Sequence, residues 1–109
     1  MTNKNRILQL LGLARRSGKL AMGTDAVIEQ MSHLKLIVLA SDASPKTIDK
    51  IEKKAYFYGV PIIKIFTTPE LSHAIGKTNQ KMVGLIDEGF VKKINELLTE
   101  ERIGENNES

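Results

Sequence analysis

The residues best suited to binding chemistry lie near the start of the chain, in the sequence SGKLAMGTD at positions 17–25. This stretch holds two glycines and a lysine between two apolar patterns of helical spacing. It ends in Gly23, Thr24 and Asp25, where a second helix is expected to begin. The first N–H groups of a helix lack intrahelical partners and carry partial positive charge, so they bind phosphates, carboxylates or the acceptor edge of a base. We therefore predict that residues 17–25 contain the binding site.

Other chemical motifs in the sequence are incomplete. Residues 76–78 spell GKT, the end of a phosphate-binding loop, but the first glycine of that motif falls on Leu71, and GKT follows a helical pattern instead of a strand. His33 and His73 lack a metal-ligand spacing, and no serine lies in a GxSxG sequence. The sequence thus predicts a non-catalytic protein with no metal and no cofactor. A small nucleotide- or phosphate-binding enzyme is the weakest hypothesis, since it lacks a complete loop and an acid–base set.

Charge and composition favour one small, basic domain. The 109 residues carry a net charge of +3 and include no cysteine, which excludes a disulfide scaffold and thiolate-bound metal. Residues 100–109 hold four glutamates and one arginine, so the first 99 residues carry 15 basic and 9 acidic side chains, a net +6. We predict a single domain at 1–99 and an acidic, disordered tail at 100–109. A basic domain favours polyanionic partners, and the apolar runs are too short to span a membrane, so a cytoplasmic location without a membrane partner is expected.

Apolar spacing and cap residues predict helices and strands in alternation. Helical patterns cover residues 5–16, 26–32, 45–58, 70–75 and 88–98, and the predicted strands are 20–22, 36–40, 60–66 and 82–86. Ser44, Thr68 and Asp87 are the expected N-caps of the last three helices. This order predicts an α/β fold, a three-layer α/β/α sandwich around a mixed sheet of about four strands.

Each of the last four predicted helices follows a strand. Their N-termini, near Thr24, Ser44, Thr68 and Asp87, are therefore expected to gather at one end of the sheet, where open α/β sheets bind ligands. Lys46 and Lys77 would add positive charge there. The aromatic side chains are expected in core or half-buried positions, at Tyr56, Phe57, Tyr58, Phe66 and Phe90.

Five local motifs occur in an order that is specific to one family. They are LGLARRSGKLAMGTDAV at 11–27, LIVLASDASP at 36–45, GVP at 59–61, ELSHAIGK at 70–77 and VGLID at 83–87. With these motifs the chain resembles the L7Ae/L30e superfamily of ribosomal and kink-turn RNA-binding proteins, in particular its bacterial YlxQ-type members, over residues 5–98. The resemblance implies an α/β/α sandwich, in agreement with the pattern of elements.

The resemblance also implies a binding site. Kink-turn binders of this superfamily insert the start of the second helix into the RNA groove beside sheared G·A pairs, and a second loop covers a bulged nucleotide. On this basis Gly23, Thr24 and Asp25 would form the insertion. The other candidate RNA-binding residues, including those flanking the insertion and those of the second loop, are Lys19, Ser44, Lys46, Ile48, Lys77, Thr78, Asn79 and Gln80. Glycine lets the backbone approach RNA, hydroxyl and N–H groups bind phosphates or base edges, and lysines supply non-specific attraction.

The sequence departs from the RNA-reading pattern at the second helix. The Asn-Glu pair usual in the family falls on Asp25 and Ala26, and the lysine one turn later falls on Glu29, so two carboxylates would repel phosphates. The resemblance implies a ribosomal or ribosome-associated protein that binds structured, kink-turn-like RNA, rRNA in particular. The departures motivate an alternative, a protein-interaction module of the translation machinery that has lost kink-turn specificity. Its partners would be ribosomal proteins or translation factors.

Overall fold

The computed structural model describes residues 2–108, and the side chains up to residue 100. The helices are α1 (Asn3–Arg16), α2 (Thr24–Glu29), α3 (Pro45–Tyr58), α4 (Thr68–Ile75) and α5 (Glu88–Glu108), and the strands are β1 (Leu20–Met22), β2 (Leu36–Leu39), β3 (Ile62–Ile63) and β4 (Met82–Leu85). The predicted order of helices and strands is confirmed. Two elements differ most from the prediction: α2 ends at Glu29 and is followed by a 3-10 turn at Met31–His33, and β3 pairs over two residues instead of seven. β2 and β4 each end one residue earlier than predicted.

The four strands form one mixed sheet in the order β1-β4-β2-β3. β4 lies between β1 and β2 and is antiparallel to both, with Gly84 opposite Ala21 and Ile37. β2 and β3 are parallel, with Ile37 opposite Ile62. Consequently β1, β2 and β3 run in one direction, and β4 runs in the other. This mixed four-stranded sheet agrees with the prediction.

Helices cover both faces of the sheet. Every residue of β2 and β4 is buried, and because successive side chains of a strand point to opposite faces, both faces must be covered. α1 packs against α4 and α5, whereas α3 packs against the 3-10 turn that follows α2. The α/β/α sandwich predicted from the sequence is therefore confirmed.

The core is continuous across these layers and is packed closely. Its largest fully buried side chains are Phe66, Ile7, Leu11, Met31, Leu36, Ile37, Leu39, Ile51, Leu71, Ile75, Met82 and Leu85. Close packing also explains a glycine in the middle of β4, since a Cβ atom at Gly84 would lie 2.6 Å from Leu34 Cδ1. Side chains at position 84 would therefore displace Leu34 from the core.

The prediction for the aromatic residues is correct for two positions and wrong for three. Phe66 is fully buried and Phe90 is half-buried. Tyr56, Phe57 and Tyr58, in the last turn of α3, are instead 90%, 80% and 52% exposed. Three consecutive helical residues spread over more than half of the helix circumference, so they cannot all face the core. The buried face of α3 ends before them.

The starts of α3 and α4 are fixed by side-chain caps. Ser44 Oγ accepts a hydrogen bond from the N–H of Thr47, which makes Ser44 the N-cap of α3, as predicted. At α4 the cap is Thr67, not the expected Thr68: Thr67 Oγ1 accepts from Glu70 N–H, and Glu70 Oε1 accepts from Thr67 N–H. This reciprocal pair is a capping box, which a sequence reading centred on Pro69 places one residue too late.

α5 has 21 residues and begins directly after Asp87, whose Oδ2 accepts from the N–H of Phe90 at 3.1 Å, in agreement with the predicted cap. The helix continues through residues for which the sequence predicts a disordered tail, and the disorder of that tail, like the domain boundary at residue 99, stays a prediction. Among the described residues, no helix combines the length and apolar character needed to cross a membrane.

Candidate nucleic-acid interface

Strand direction decides which predicted site residues lie together. Since β1, β2 and β3 share one direction, the loops that follow them lie at one end of the sheet, together with the loop that enters β4. Backbone hydrogen bonds join these loops: Gly23 N–H donates to Met82 O at 3.0 Å, and Ala40 N–H donates to Lys81 O at 2.7 Å. We call this the converging end. It contains Gly23, Thr24, Asp25, Ser44, Lys46, Ile48, Lys77, Thr78, Asn79 and Gln80.

Asp87 and Lys19 lie at the opposite end of the sheet. The expectation that the helix starting at Asp87 joins the other three helix N-termini is wrong, because β4 runs antiparallel and carries Asp87 away from them. Lys19 precedes β1, and its Nζ lies 3.2 Å from Asp87 Oδ1. The structure thus does not bring Lys19 to the other candidate residues. The stretch 17–25 spans the sheet, and β1 separates its lysine from Gly23.

The start of α2 has a backbone that only glycine adopts readily. Gly23 has φ +89° and ψ 168°, a region that is almost closed to residues with a Cβ. Its carbonyl accepts from Val27 N–H at 3.0 Å, and among the described residues no side chain caps the helix. The N–H groups of Thr24, Asp25 and Ala26, the first three of α2, are therefore available to an external acceptor.

The second loop is hydrogen-bonded to α4 and lies close to Gly23. Ser72, a buried residue of α4, donates from Oγ to Thr68 O at 2.7 Å and accepts from Gln80 N–H at 2.8 Å. A Cβ atom placed on Gly23 would lie 3.6 Å from Gln80 Oε1, an ordinary contact distance. That Oε1 is buried and makes no hydrogen bond within the described part of the chain. The structure therefore places the second loop directly beside the start of α2, as the family resemblance implies.

A hydrogen-bonded group that the sequence analysis missed holds the converging end together. Thr68, 7% exposed, donates its N–H and its Oγ1–H to Asp42 Oδ1 at 2.9 and 2.7 Å, and its Oγ1 accepts from Lys81 Nζ at 3.3 Å. The hydroxyl and N–H of Thr68 lower the pKa of Asp42 below its usual value of 3.8. The two ends of this group are far apart in sequence. The sequence marks Asp42 as part of a turn and Thr68 as part of a helix start, but it does not indicate that these two residues pair.

The three candidate residues of α3 have different surroundings. Ser44 is occupied as the helix cap, and its hydroxyl also donates to Thr47 Oγ1 at 2.9 Å. Ile48 is half-buried and packs against the core. Lys46 is exposed and forms no ion pair with any described side chain. Only Lys46 of these three presents a free charge.

The remaining candidates, Lys77, Thr78 and Asn79, are exposed in the second loop. Asn79 has φ +53°, the left-handed conformation that asparagine tolerates, and Gln80 Nε2 donates to the carbonyl of Thr78 at 3.2 Å. The described side chains contain no cluster of His, Cys, Asp and Glu able to hold a metal ion. The converging end thus presents exposed polar side chains and two lysines without ion-pair partners among the described residues, Lys46 and Lys77, which would attract a polyanion.

The sequence of this chain matches one family of known proteins. Residues 5–95 match the model of the ribosomal protein L7Ae/L30e/S12e/Gadd45 family. The chain belongs to this family. The resemblance inferred from the order of five short motifs is therefore confirmed.

Two relatives and two solved structures show how far the similarity extends. The chain is 37% identical to the RNA-binding protein YlxQ of Enterococcus faecium over 98 residues, covering 88% of this chain and 94% of the relative. It is 38% identical to the RNA-binding protein YlxQ of Bacillus subtilis over 91 residues, covering 82% and 91%. A Bacillus halodurans protein of unknown function superposes with a TM-score of 0.78 at 34% identity, covering 85% of this chain and 96% of that one.

A more distant structure, the Giardia lamblia 15.5kD RNA binding protein, superposes with a TM-score of 0.75 at 16% identity, covering 90% of this chain and 86% of that one. At this identity the match concerns the fold alone. The sandwich described above is therefore shared well beyond the bacterial relatives.

Proposed function

We propose that this protein binds structured RNA through the converging end, with Gly23, Thr24 and Asp25 at the centre of the contact. The proximity of Gly23 to Gln80 carries the proposal: a Cβ atom on Gly23 would lie 3.6 Å from Gln80 Oε1, so the two segments that family resemblance associates with RNA are neighbours. The two relatives named RNA-binding protein YlxQ support RNA as the class of partner. The proposed role is non-catalytic and cytoplasmic, on ribosomal RNA.

The proposed contact uses backbone donors and lysines. N–H groups at the start of α2 donate to phosphates or base edges, and Lys46 and Lys77 attract the phosphates. α2 has only six residues, so its macrodipole contributes little and the individual N–H groups matter more. Thr78 and Asn79 add side-chain donors and acceptors from the second loop.

Base reading in this proposal depends on Asp25. Its carboxylate accepts hydrogen bonds from guanine amino groups, which the neighbouring Ala26 side chain is unable to do. The second loop, KTNQ, is polar and supplies further hydrogen bonds to a displaced nucleotide. We propose that the preferred RNA is kink-turn-like, because a sharp bend exposes the sheared G·A edges to a helix start.

The test compares a kink-turn RNA with an unbent duplex of the same length and base composition, each at two salt concentrations. The kink-turn should bind more tightly at both, and the slope of log affinity against log salt should report the number of phosphates contacted. Equal, weak binding to the two RNAs would contradict kink-turn recognition and leave charge attraction alone. Absence of binding to either RNA would contradict the proposed function.

Asp25→Asn tests the centre of the site. Affinity should rise if the carboxylate mainly repels phosphates, and it should fall if the carboxylate accepts from guanine. An unchanged affinity would mean that α2 does not contact the RNA. Glu96→Gln, an exposed position on α5, is a matched control that removes the same charge elsewhere.

The alternative function is a protein-interaction module of the translation machinery, with ribosomal proteins or translation factors as partners. The exposed carboxylates of Asp25 and Glu29, one helical turn apart on α2, favour it because they oppose phosphate binding. Partner recovery from a lysate that survives RNase treatment would support this module. Complete loss of partners after RNase would favour RNA.

A further inference from the structure

α3 connects the two ends of the sheet, and its outer face has an unusual composition. The inner face packs on the core through Ile48, Ile51 and Ala55. On the opposite side, residues three or four apart fall on one stripe, which contains Lys46, Lys50, Lys53 and Phe57. All four side chains are exposed, and Lys54 and Tyr56 border the stripe. We call this set the outer face of α3.

The lysines of the outer face are only partly neutralised. Asp49 Oδ2 lies 3.0 Å from Lys53 Nζ, and Glu52 Oε2 lies 3.2 Å from Lys64 Nζ, so each acidic residue of α3 already has a lysine partner. Lys46, Lys50 and Lys54 form no ion pair with the described side chains. The outer face therefore carries three lysines without acidic partners.

The aromatic side chains next to these lysines are largely exposed to solvent. Tyr56 and Phe57 are 90% and 80% exposed, and the rings of Phe57 and Tyr58 meet edge to face with centroids 5.1 Å apart. Single exposed apolar side chains are common, but a contiguous patch of them, as at Tyr56, Phe57 and Tyr58, is typical of a binding surface. Aromatic rings combined with lysines bind single-stranded nucleic acid, because the rings stack on bases while the ammonium groups meet phosphates.

We propose that the outer face of α3 binds an unpaired segment of RNA, with a base stacked on Phe57 and phosphates held by Lys46, Lys50 and Lys54. This inference rests on the proposed function in one respect: Lys46 belongs to both surfaces, so a strand leaving the converging end continues along α3. From Lys46 to Phe57 the helix rises about 16 Å, the length of about five stacked nucleotides. An RNA with a single-stranded extension beside its structured part fits this arrangement.

The first experiment measures affinity of wild type and Tyr56→Ala/Phe57→Ala for one structured RNA with and without a single-stranded extension of about eight nucleotides. The extension should strengthen wild-type binding by about 5-fold or more, since stacking contributes about 1–3 kcal/mol per base. The double variant should lose this gain and bind the RNA without extension like wild type. Equal binding of the extended RNA by both proteins would overturn the proposal.

A second experiment separates this surface from the converging end. The chain contains no tryptophan, so Phe57→Trp introduces a single indole reporter at position 57. Titration with an eight-nucleotide single-stranded RNA should quench its fluorescence through stacking, even if structured RNA does not bind at all. Unchanged fluorescence at RNA concentrations that saturate binding would overturn the proposal.

Phe57→Leu distinguishes an RNA from an apolar protein partner. Leucine retains apolar contact but lacks a ring, so the variant should lose the gain from the extension as the alanine variant does. If Phe57→Leu binds the extended RNA like wild type, base stacking on Phe57 is excluded. Both positions are exposed, so these variants should unfold at the wild-type temperature.

Discussion

The two ends of the sheet carry lysines in different electrostatic settings. At the opposite end, Lys19 and Lys35 face Asp87 and Glu88 at 3.2 and 3.8 Å. At the converging end, Lys46 and Lys77 form no ion pair with the described side chains. Since a paired lysine must give up its carboxylate before it can meet a phosphate, net charge alone does not locate a polyanion site. The site is located instead by the lysines that have no acidic partner.

The ends also differ in how their backbone is held. The opposite end relies on an exposed ion pair and a helix cap at Asp87. The converging end relies on side-chain hydrogen bonds between distant segments, through Ser72 and through Asp42, Thr68 and Lys81. A fixed loop loses less conformational entropy on binding than a mobile one, so this bonding favours recognition at the converging end.

The largest expected difference between the ends is in RNA affinity. Lys46→Ala/Lys77→Ala should make the slope of log affinity against log salt shallower by about 1.8, since each phosphate contact contributes about 0.9. The ratio of wild-type to variant RNA affinity should therefore grow roughly 60-fold as the salt concentration is lowered from 1 M to 0.1 M. The matched control, Lys19→Ala/Lys35→Ala, removes the same charge from the opposite end and should leave the slope unchanged. Equal slopes for the two double variants would contradict the assignment.

Glycine substitutions at the two ends should differ in stability and in binding. Gly23→Asn forces a side chain into a backbone region nearly exclusive to glycine, which should destabilise the fold by about 1–3 kcal/mol and weaken RNA binding. Gly18, at the opposite end, has φ +70° and open space around it, a conformation that asparagine tolerates. Gly18→Asn should therefore have a small effect, below about 1 kcal/mol, with unchanged RNA affinity. Urea unfolding and RNA titration of both variants provide the measurements.

Removal of the loop anchor should have a smaller and more local effect. Ser72→Ala leaves the partly buried Gln80 N–H without its acceptor, which should destabilise the protein by about 0.5–1.5 kcal/mol and speed hydrogen exchange at the Gln80 amide. Ser32→Ala, at an exposed position in the 3-10 turn, should stay within about 0.5 kcal/mol of wild type. Normal exchange at Gln80 in the Ser72 variant would mean that the second loop is held by other contacts.

Local sequence signals predicted most of the fold. Helix periodicity, the Ser44–Pro45 start of α3 and the β-branched run of β2 each depend on neighbouring residues, so they can be recognised without the structure. The order of five short motifs then identified the family. What local signals did not reveal was the direction of β4, since strand pairing depends on contacts between residues distant in sequence. That single unknown placed Asp87 at the opposite end, beside Lys19, which lies there because it precedes β1.

The candidate site could be predicted from the sequence only in part. The resemblance pointed to Gly23 and to the loop at residues 77–80, and the structure brings these together. The hydrogen bonds that Thr68 donates to Asp42 and that the Gln80 N–H donates to Ser72 were not visible in the sequence. Threonine and aspartate at helix starts and turns usually serve as caps, and a serine inside a helix usually bonds within its own helix. The exposure of Tyr56 and Phe57 was missed because aromatic residues at the end of a helical pattern are more often buried.

The smallest expected difference between the two ends is in how their contribution to stability depends on pH and on salt concentration. Asp42 and Asp87 both have lowered pKa values, by Thr68 hydrogen bonds at the converging end and by the Phe90 N–H and then Lys19 at the opposite end. A carboxyl whose pKa is lower in the folded than in the unfolded state stabilises the fold above the unfolded value of 3.8, and this stabilisation is lost as pH falls through the lowered pKa. The melting temperatures of Asp42→Asn and Asp87→Asn should therefore lie below that of wild type at pH 7 and converge with it as pH falls below about 4.

Salt separates the two carboxylates. Part of the contribution of Asp87 is the attraction of the exposed Lys19 ammonium, which salt screens, whereas hydrogen bonds from Thr68 dominate at Asp42. Raising the salt concentration from 0.05 M to 1 M at pH 7 should reduce the effect of Asp87→Asn on the melting temperature and leave that of Asp42→Asn nearly constant. If both effects shrink equally, the converging end is held by charge as much as the opposite end is. Attraction between Asp42 and Lys81, and not the hydrogen bonds from Thr68, would then be the main interaction that holds this group together.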